Sequence, residues 1–440
     1  MVEYPDCFGV FPSTHVSRQQ NSRATDVIRT ADAKRHRQPV PKSRIVPFNH
    51  AEIAQVDVNR LGVRSGKFMR LRIKYEIRIE IAESDRRSRV GGKNKPYAFD
   101  LRIVEQIIKF EFCPVVIDGE LPFDGELGKR TSCRVESFKS DRCHAGAFGF
   151  AADFEIGSFG AKADGRVQTQ AIQSAIDAAS AAGGGTVVVP RGTYVSGALF
   201  FRPGVDLRID EGGVLKGSTE ILDFPMMMTR IEGETRKYFP ALVNADRCDG
   251  FRLTGKGVID GSGGPYWKRL VIRWQSRGGC ENIDEQRPRL VYVSNSTNVT
   301  VSGVTLRDSP FWTLHLYRCK DVLVENARIE AGTWEGVQNE NADAIDFDGV
   351  RNVTVRGCSF DVHNDALTTK GGKGPLVHLP GKAPDAEPND GLLVENCAFG
   401  PQCTGCLTLG SECFAAKDII MRNCRVSNPT CVLRLKMRNY

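Results

Sequence analysis

The chain lacks any apolar run of about 18 residues, the length a bilayer-spanning helix requires, so no transmembrane helix and no membrane partner are expected. Its N-terminus has no basic stretch followed by an apolar one, so no secretory leader is visible. Histidine is scarce, 7 in 440 residues, and neither His315 nor His378 has a partner at metal-ligand spacing. Both are read as ordinary polar residues, and neither a metal nor a cofactor is expected. Cysteine is not scarce, but its 14 copies are scattered and form no disulfide framework. Gly371-Gly372-Lys373-Gly374 lacks the strand-to-helix setting of a phosphate loop and is read as a turn.

Charge is unevenly placed. Residues 1–150 hold 27 of the 60 Lys+Arg and 19 of the 53 Asp+Glu, so this segment carries +8 and the remainder −1. A solvated basic surface or tail accounts for that excess; attraction to a polyanion such as nucleic acid or an acidic glycan is the sharper reading. No nucleic-acid partner is expected. Residues 1–65 read as loop-rich or disordered. Residues 68–82 alternate Leu71, Ile73, Tyr75, Ile77, Ile79 and Ile81 with charged side chains, the period of a half-buried or edge strand. Residues 99–117 suggest one or two more strands. Nothing in 1–145 matches the downstream residues, so this part is either an accessory region or an upstream frame joined to the true start.

Residues 250–426 are repetitive. A nine-residue phrase starts at Gly250, Asn298, Asp321, Asn352, Gly391 and Asp418, at intervals of 48, 23, 31, 39 and 27 residues. Each copy opens on Asn, Asp or Gly, alternates apolar and polar residues, and has Gly or Asn at its sixth place. Two short strands bent at that place fit the pattern, because Gly and Asn tolerate the left-handed backbone of a sharp corner. One coil cannot bury its apolar side chains alone, but stacked coils can. The 48-residue interval is read as two coils, with Leu290-Val291-Tyr292-Val293 as a strand inside it. Val304, Ala327, Cys358, Cys397 and Cys424 share one small slot and are expected to stack as core residues.

Upstream, Ala171, Ile172, Ala175, Ile176 and Ala179 form one face of a helix over 167–182, which Gly183-Gly184-Gly185 stops. Thr186–Pro190 then reads as a buried strand. The expected fold is therefore all-β: a right-handed parallel β-helix over residues 153–440, with a short N-terminal capping helix. The basic segment of residues 1–145 precedes it. The chain stops at Tyr440 soon after a strand at Val432–Met437, without a polar cap. A missing C-terminal portion, or a partner over that end, is expected.

Chemistry enters through short motifs. Phe159-Gly160-Ala161-Lys162-Ala163-Asp164-Gly165, Gly257-Val258-Ile259-Asp260-Gly261 with Trp267, and Ser309-Pro310-Phe311-Trp312-Thr313-Leu314-His315 precede Asn341-Ala342-Asp343, His363-Asn364-Asp365 and Arg434-Leu435-Lys436. In this order they resemble the polygalacturonase family of glycoside hydrolases, right-handed parallel β-helices that cut pectin. The resemblance covers residues 153–440. It implies catalytic roles at Asp343, Asp365 and the Asn364 position, with Glu412 beside the active strand as a further catalytic candidate, and substrate binding by Arg434, Lys436, Asn341, Trp312 and Lys370. It also implies an acidic pectic polysaccharide as partner, a monomer, and a secreted or periplasmic location.

Two places depart from the family pattern. Asn364 stands where the family's general acid is expected, and an amide cannot donate a proton as a carboxylic acid does. The segment Cys403–Glu412 has no His where the family has one. Asp346, Asp348, Glu340 and Glu412 are candidate replacement acids, although Asp346 and Asp348 are also read as satisfying turn backbone. Phe311 and Trp312 either stack sugars or close a coil. Asp343 and Asp365 lie 22 residues apart, about one coil, so their carboxylates can share a face and jointly activate a water. Three functions fit these residues: an inverting hydrolase of α-linked galacturonan or a related pectic chain, a β-helix that binds acidic polysaccharide without turnover, and a pectin or pectate lyase.

Overall fold

The computed structural model describes residues 51–55, 69–83, 97–114, 152–374, 377, 383–427 and 431–437. His378 lies outside them. So does most of the 1–65 segment, within which Ala51–Gln55 is a strand. The described residues fall in one compact unit, Ile45–Tyr440.

The repeat builds a right-handed parallel β-helix with three ladders per coil. One ladder, the site sheet, is eight parallel strands: Leu199–Phe200, Val243–Asp246, Val291–Ser294, Leu314–Tyr317, Ile345–Asp348, Asp365–Thr369, Gly405–Ser411 and Leu433–Met437. The two halves of each nine-residue phrase supply the other two ladders. Arg252–Gly255, Thr300–Ser302, Lys320–Glu325, Arg351–Arg356, Asn389–Glu395 and Ala415–Val426 stack in sequence order. Val258–Asp260, Thr305–Arg307, Arg328–Glu330, Ser359–Asp361 and Ala398–Phe399 stack beside them.

The phrase's consensus has a backbone cause at two places. Its sixth residue is left-handed in every copy: Gly255, Gly303, Asn326, Gly357, Asn396 and Asn423 all have positive φ. So is its first residue, at Gly250, Asn298, Asp321, Asn352, Gly391 and Asp418. Only Gly, Asn and Asp visit that region at low cost, which explains both polar positions.

Register then aligns like with like. Leu207, Leu253, Val301, Val324, Val355, Val394 and Met421 form one inward column, and all are buried. Each buried aliphatic side chain contributes about 1.5–3 kcal/mol, but only because the next coil covers it. The small slot stacks as well: the thiols of Cys358 and Cys397 lie 3.6 and 3.7 Å from the carbonyl oxygens of Val324 and Val355, one coil back.

Two parts of the sequence reading need correction. The 48-residue interval is one coil, not two, because Arg252–Gly255 pairs directly with Thr300–Ser302. The extra length is a loop carrying the helix Gly264–Arg277, begun by Pro265 and ended by left-handed Gly278. Val291–Ser294 belongs to the same coil as the Asn298 phrase. The other surprise is at the far end. Tyr97–Pro114 pairs antiparallel with Ala415–Val426, and Met69–Glu83 pairs with Tyr97–Pro114. Strands from the N-terminal segment thus continue the sheet beyond the last phrase. At the near end, the helix Thr169–Ala181 buries Ile172, Ala175, Ile176 and Ala179 against the first coil. No helix among the described residues is long and apolar enough to cross a membrane.

Candidate active site

Parallel stacking puts chemically distinct residues from distant segments on one surface. In the site sheet, Ile345 faces Leu367 and Leu367 faces Leu407. Counting back two residues sets Asp343 beside Asp365, and the Ala344 amide donates to the Asp365 carbonyl at 3.1 Å. Neighbouring rungs are about 4.8 Å apart. Thr408 faces Arg434 and Gly410 faces Lys436 on the last pair of rungs.

The side chains converge accordingly. Asp365 receives Arg434 Nη1 at 3.1 Å on Oδ1 and Lys436 Nζ at 3.7 Å on Oδ2, and the Thr404 hydroxyl at 3.3 Å. Both cations remain open to solvent, with side chains 42% and 39% exposed, whereas Asp365 is almost covered. A second cluster adjoins the first. The Lys370 ammonium lies 3.9 Å from Asp343, 3.6 Å from Asp346 and 3.3 Å from Glu412. It sits over the Trp312 ring, 4.6 Å from its centre.

Three buried carboxyls around one lysine cannot all stay ionised cheaply. Burial pushes Asp343 up to about 6, against the opposing pull of Lys370, and the Asp365 charge adds to the rise. Burial and then the Asp343 charge push Asp346 well above the usual carboxylate range. Burial alone would lower Lys370, but Glu412, Asp346 and Asp343 outweigh it and hold the lysine above its ordinary value.

The expected site residues therefore divide. Asp343, Asp365, Arg434, Lys436, Lys370 and Glu412 are brought together. Lys370 is buried and occupied by carboxylates, so it organises the site from within rather than presenting its charge to a ligand. Glu412 is also buried, with Oε1 accepting from the Ser411 hydroxyl at 2.6 Å. Asn341 spends its side-chain oxygen on Arg287 Nη2, 2.7 Å away. Asn364 donates its amide to the Asn339 carbonyl at 2.8 Å and to Asn339 Oδ1 at 3.2 Å. Trp312 is buried and packed on Phe311, His315 and Lys370. It closes a coil and floors the lysine pocket, and has no open face for a sugar.

Asp346 and Asp348 do not satisfy turns. Both lie inside the strand Ile345–Asp348 and are fully buried. Asp348 takes Arg230 Nε at 2.8 Å and Nη2 at 3.2 Å, and lies 3.4 Å from His315 Nε2. Burial would raise its pKa, but the Arg230 charge and the bonds from His315 and Arg230 pull it down to about 2. Asp348 is thus committed to a structural pair and is no proton donor. His315 is not ordinary surface: it is buried between Arg289 and Asp348, and burial holds its pKa down to about 4. Burial also raises Glu340.

Sequence reasoning missed Arg230, Arg287 and Arg289, all buried. Arg287 donates to the carbonyls of Pro310 and Glu340, at 3.1 and 2.8 Å, and so fixes the loop that delivers Asp343. The available signal was Arg287-Pro288-Arg289 immediately before an apolar strand, where exposed cations would be out of place.

Comparison with known proteins decides the family. The model of glycosyl hydrolases family 28 matches residues 186–439, more than half of the chain. The chain belongs to glycosyl hydrolases family 28. Among curated relatives, an exopolygalacturonase of Zea mays is 28% identical over 240 residues, covering 53% of this chain and 52% of that protein. A probable endo-xylogalacturonan hydrolase A of Aspergillus fumigatus is 30% identical over 210 residues, 46% of each chain. The chain spans about half the length of the curated relatives it matches. Among solved structures, a Thermotoga maritima exopolygalacturonase superposes with a TM-score of 0.50 at 23% identity, covering 65% of this chain and 69% of that one. That likeness shows the parallel β-helix fold and nothing finer.

Proposed function

We propose that this chain hydrolyses an α-linked galacturonan or a related pectic polysaccharide in a single inverting step, with residues 153–440 as the catalytic unit. The observation that carries this reading is the register of Asp343 and Asp365 on adjacent rungs, in opposite electrostatic settings. Asp365 is gripped by two cations, while burial raises Asp343 to about 6. A carboxyl raised by burial suits an acid, and one set beside two cations suits a base.

In this scheme Asp365 accepts a proton from a water as that water's oxygen bonds to the anomeric carbon. The glycosidic C–O bond breaks on the opposite face, and its electron pair stays with the leaving oxygen. Protonated Asp343 supplies the proton that neutralises that oxygen. The anomeric configuration inverts because attack and departure occur on opposite faces. Asn364 takes no part in proton transfer, since its amide is committed to Asn339. The exposed charges of Arg434 and Lys436 suit a uronate carboxylate, which a neutral sugar would leave unmatched.

The family's exopolygalacturonase and polygalacturonase relatives support a pectic substrate. A secreted or periplasmic location and action as a monomer complete the proposal. The test is turnover of polygalacturonate in EDTA, scoring reducing ends and unsaturated ends separately, with Asp365→Asn as control. New reducing ends that disappear in the variant are expected. Unsaturated ends would mean a lyase, and binding without either product would mean a carbohydrate-binding β-helix.

A further inference from the structure

The loop that leaves the strand Gly213–Gly217 does not turn directly into the site strand Val243–Asp246. It first extends a two-stranded hairpin, Met227–Ile231 paired with Glu234–Tyr238. This hairpin runs along the site sheet, across rungs that follow it in sequence. Arg230 reaches Asp348 at 2.8 Å and lies over the Tyr317 ring. Arg289 donates to the Thr229 hydroxyl and the Arg230 carbonyl, both at 2.6 Å. The Asn282 amide donates to Glu232 at 2.8 Å.

The hairpin tip goes furthest. A Cβ built on Gly233 would lie 2.9 Å from Lys373 Cβ and 3.0 Å from Glu412 Cβ and Cγ. The tip therefore rests against the carbon chain of Glu412, five rungs beyond the strand it precedes. Gly233 has φ 76°, so both its backbone and the close approach require glycine.

Burial along the sheet shows the consequence. Two alternating columns face away from the core. One runs Tyr292, His315, Asp346, Thr368 and Thr408, the other Ser294, Tyr317, Asp348 and Lys370, and all of these are buried. Beyond Thr408 in the first column and Gly410 in the second, Arg434 and Lys436 are the open ones. A groove able to hold the middle of a polysaccharide needs a floor open on both sides of the reacting carboxyls. Here the floor on the N-terminal side is occupied by protein, held by a bidentate ion pair and several hydrogen bonds.

We infer that the hairpin Met227–Tyr238 is a fixed end wall, and that the site admits the end of an acidic glycan chain rather than its middle. The inference rests on the proposed hydrolase reading and adds the mode of attack. Substrate enters from the Arg434 and Lys436 side, the terminal unit abuts the wall beside Glu412, and the smallest sugars are released.

The test uses the intact chain and polygalacturonate. Products are sized while viscosity is followed against bonds cut. Monomer or dimer as the first product, with little viscosity lost per bond, is expected. Early release of intermediate oligomers, with a steep fall in viscosity, would overturn the wall. A shortened variant replaces residues 229–236 by two glycines and carries Asp348→Asn, so that no buried carboxylate is left unpaired. Its viscosity loss per bond cut rises several-fold if the wall excludes mid-chain binding. Should the variant not fold, the intact chain's product profile still decides. If turnover is absent altogether, binding to a long galacturonate oligomer separates the two ideas. One protein bound per chain keeps the wall and discards the hydrolase, whereas several bound along each chain overturn the wall.

Discussion

Replacing Lys370 with Met keeps the length of the side chain and removes the one cation that Asp343, Asp346 and Glu412 share. At separations of 3.3–3.9 Å, each pair has a gross attraction of about 4–5 kcal/mol at an effective dielectric constant of about 20. Most of that is offset by the cost of burying the charges. Breaking such a cluster from one side has a net cost of about 3–5 kcal/mol. The carboxyls limit the damage by taking up protons, which gives the prediction its sign. Burial already holds Asp343 and Asp346 above their ordinary values, and without Lys370 they rise further, so the variant's folded state takes up more protons than the wild type's. Stability then falls as pH rises, by about 1.4 kcal/mol per pH unit for each extra proton held. For one extra proton the penalty grows by about 2.7 kcal/mol between about pH 5 and about pH 7. Urea unfolding of Lys370→Met and wild-type protein across that range measures it. A penalty under about 1 kcal/mol, or one that does not change with pH, would refute the role of Lys370 as the buried counter-ion.

Asn364→Asp places a carboxylate against two acceptor oxygens of Asn339. It raises the new carboxyl's pKa, costs about 1–3 kcal/mol at neutral pH and costs little below about pH 4, where the carboxyl is protonated in both states. Unfolding curves at the two pH values check this. Because Asp343 is the proposed acid, the same variant is expected not to raise turnover of polygalacturonate in mild acid, which a reducing-end assay reads. Arg230→Met leaves Asp348 buried and charged, and is expected to cost about 3–5 kcal/mol; adding Asp348→Leu recovers most of that loss in a double-mutant cycle. In the wild type, the Asp348 pair stabilises above about pH 4 and loses its contribution as pH falls toward the folded pKa of about 2. Because Asp343 must be protonated to act as the acid, kcat/KM is expected to fall above about pH 6; a profile that rises through neutrality would exclude that role.

The coil was legible because its rule is local. Period-two strands and turn residues at fixed places are written in each phrase, and the two left-handed positions explain why. The capping helix was legible from five apolar residues on one face. The long coil was misread because a helix hidden in a loop has no repeat to betray it; its punctuation is Pro265 at the start and Gly278 at the end. That Asp343, Asp365, Arg434 and Lys436 come together was legible because they sit in short motifs and one coil separates the two acids. Asp346 and Asp348 were misjudged because their partners lie elsewhere in the chain. Arg230 and Asp348 are 118 residues apart, and no local pattern marks a hairpin that crosses five rungs. A buried charge pair is a property of the fold, not of either segment.

The most direct measurement follows the anomeric form of the first product by proton NMR, using purified chain and polygalacturonate. The proposed roles of Asp343 and Asp365 require the new reducing end to appear first as the β anomer and to mutarotate later. An α anomer first, or an unsaturated end in place of a new hydroxyl, would contradict the account.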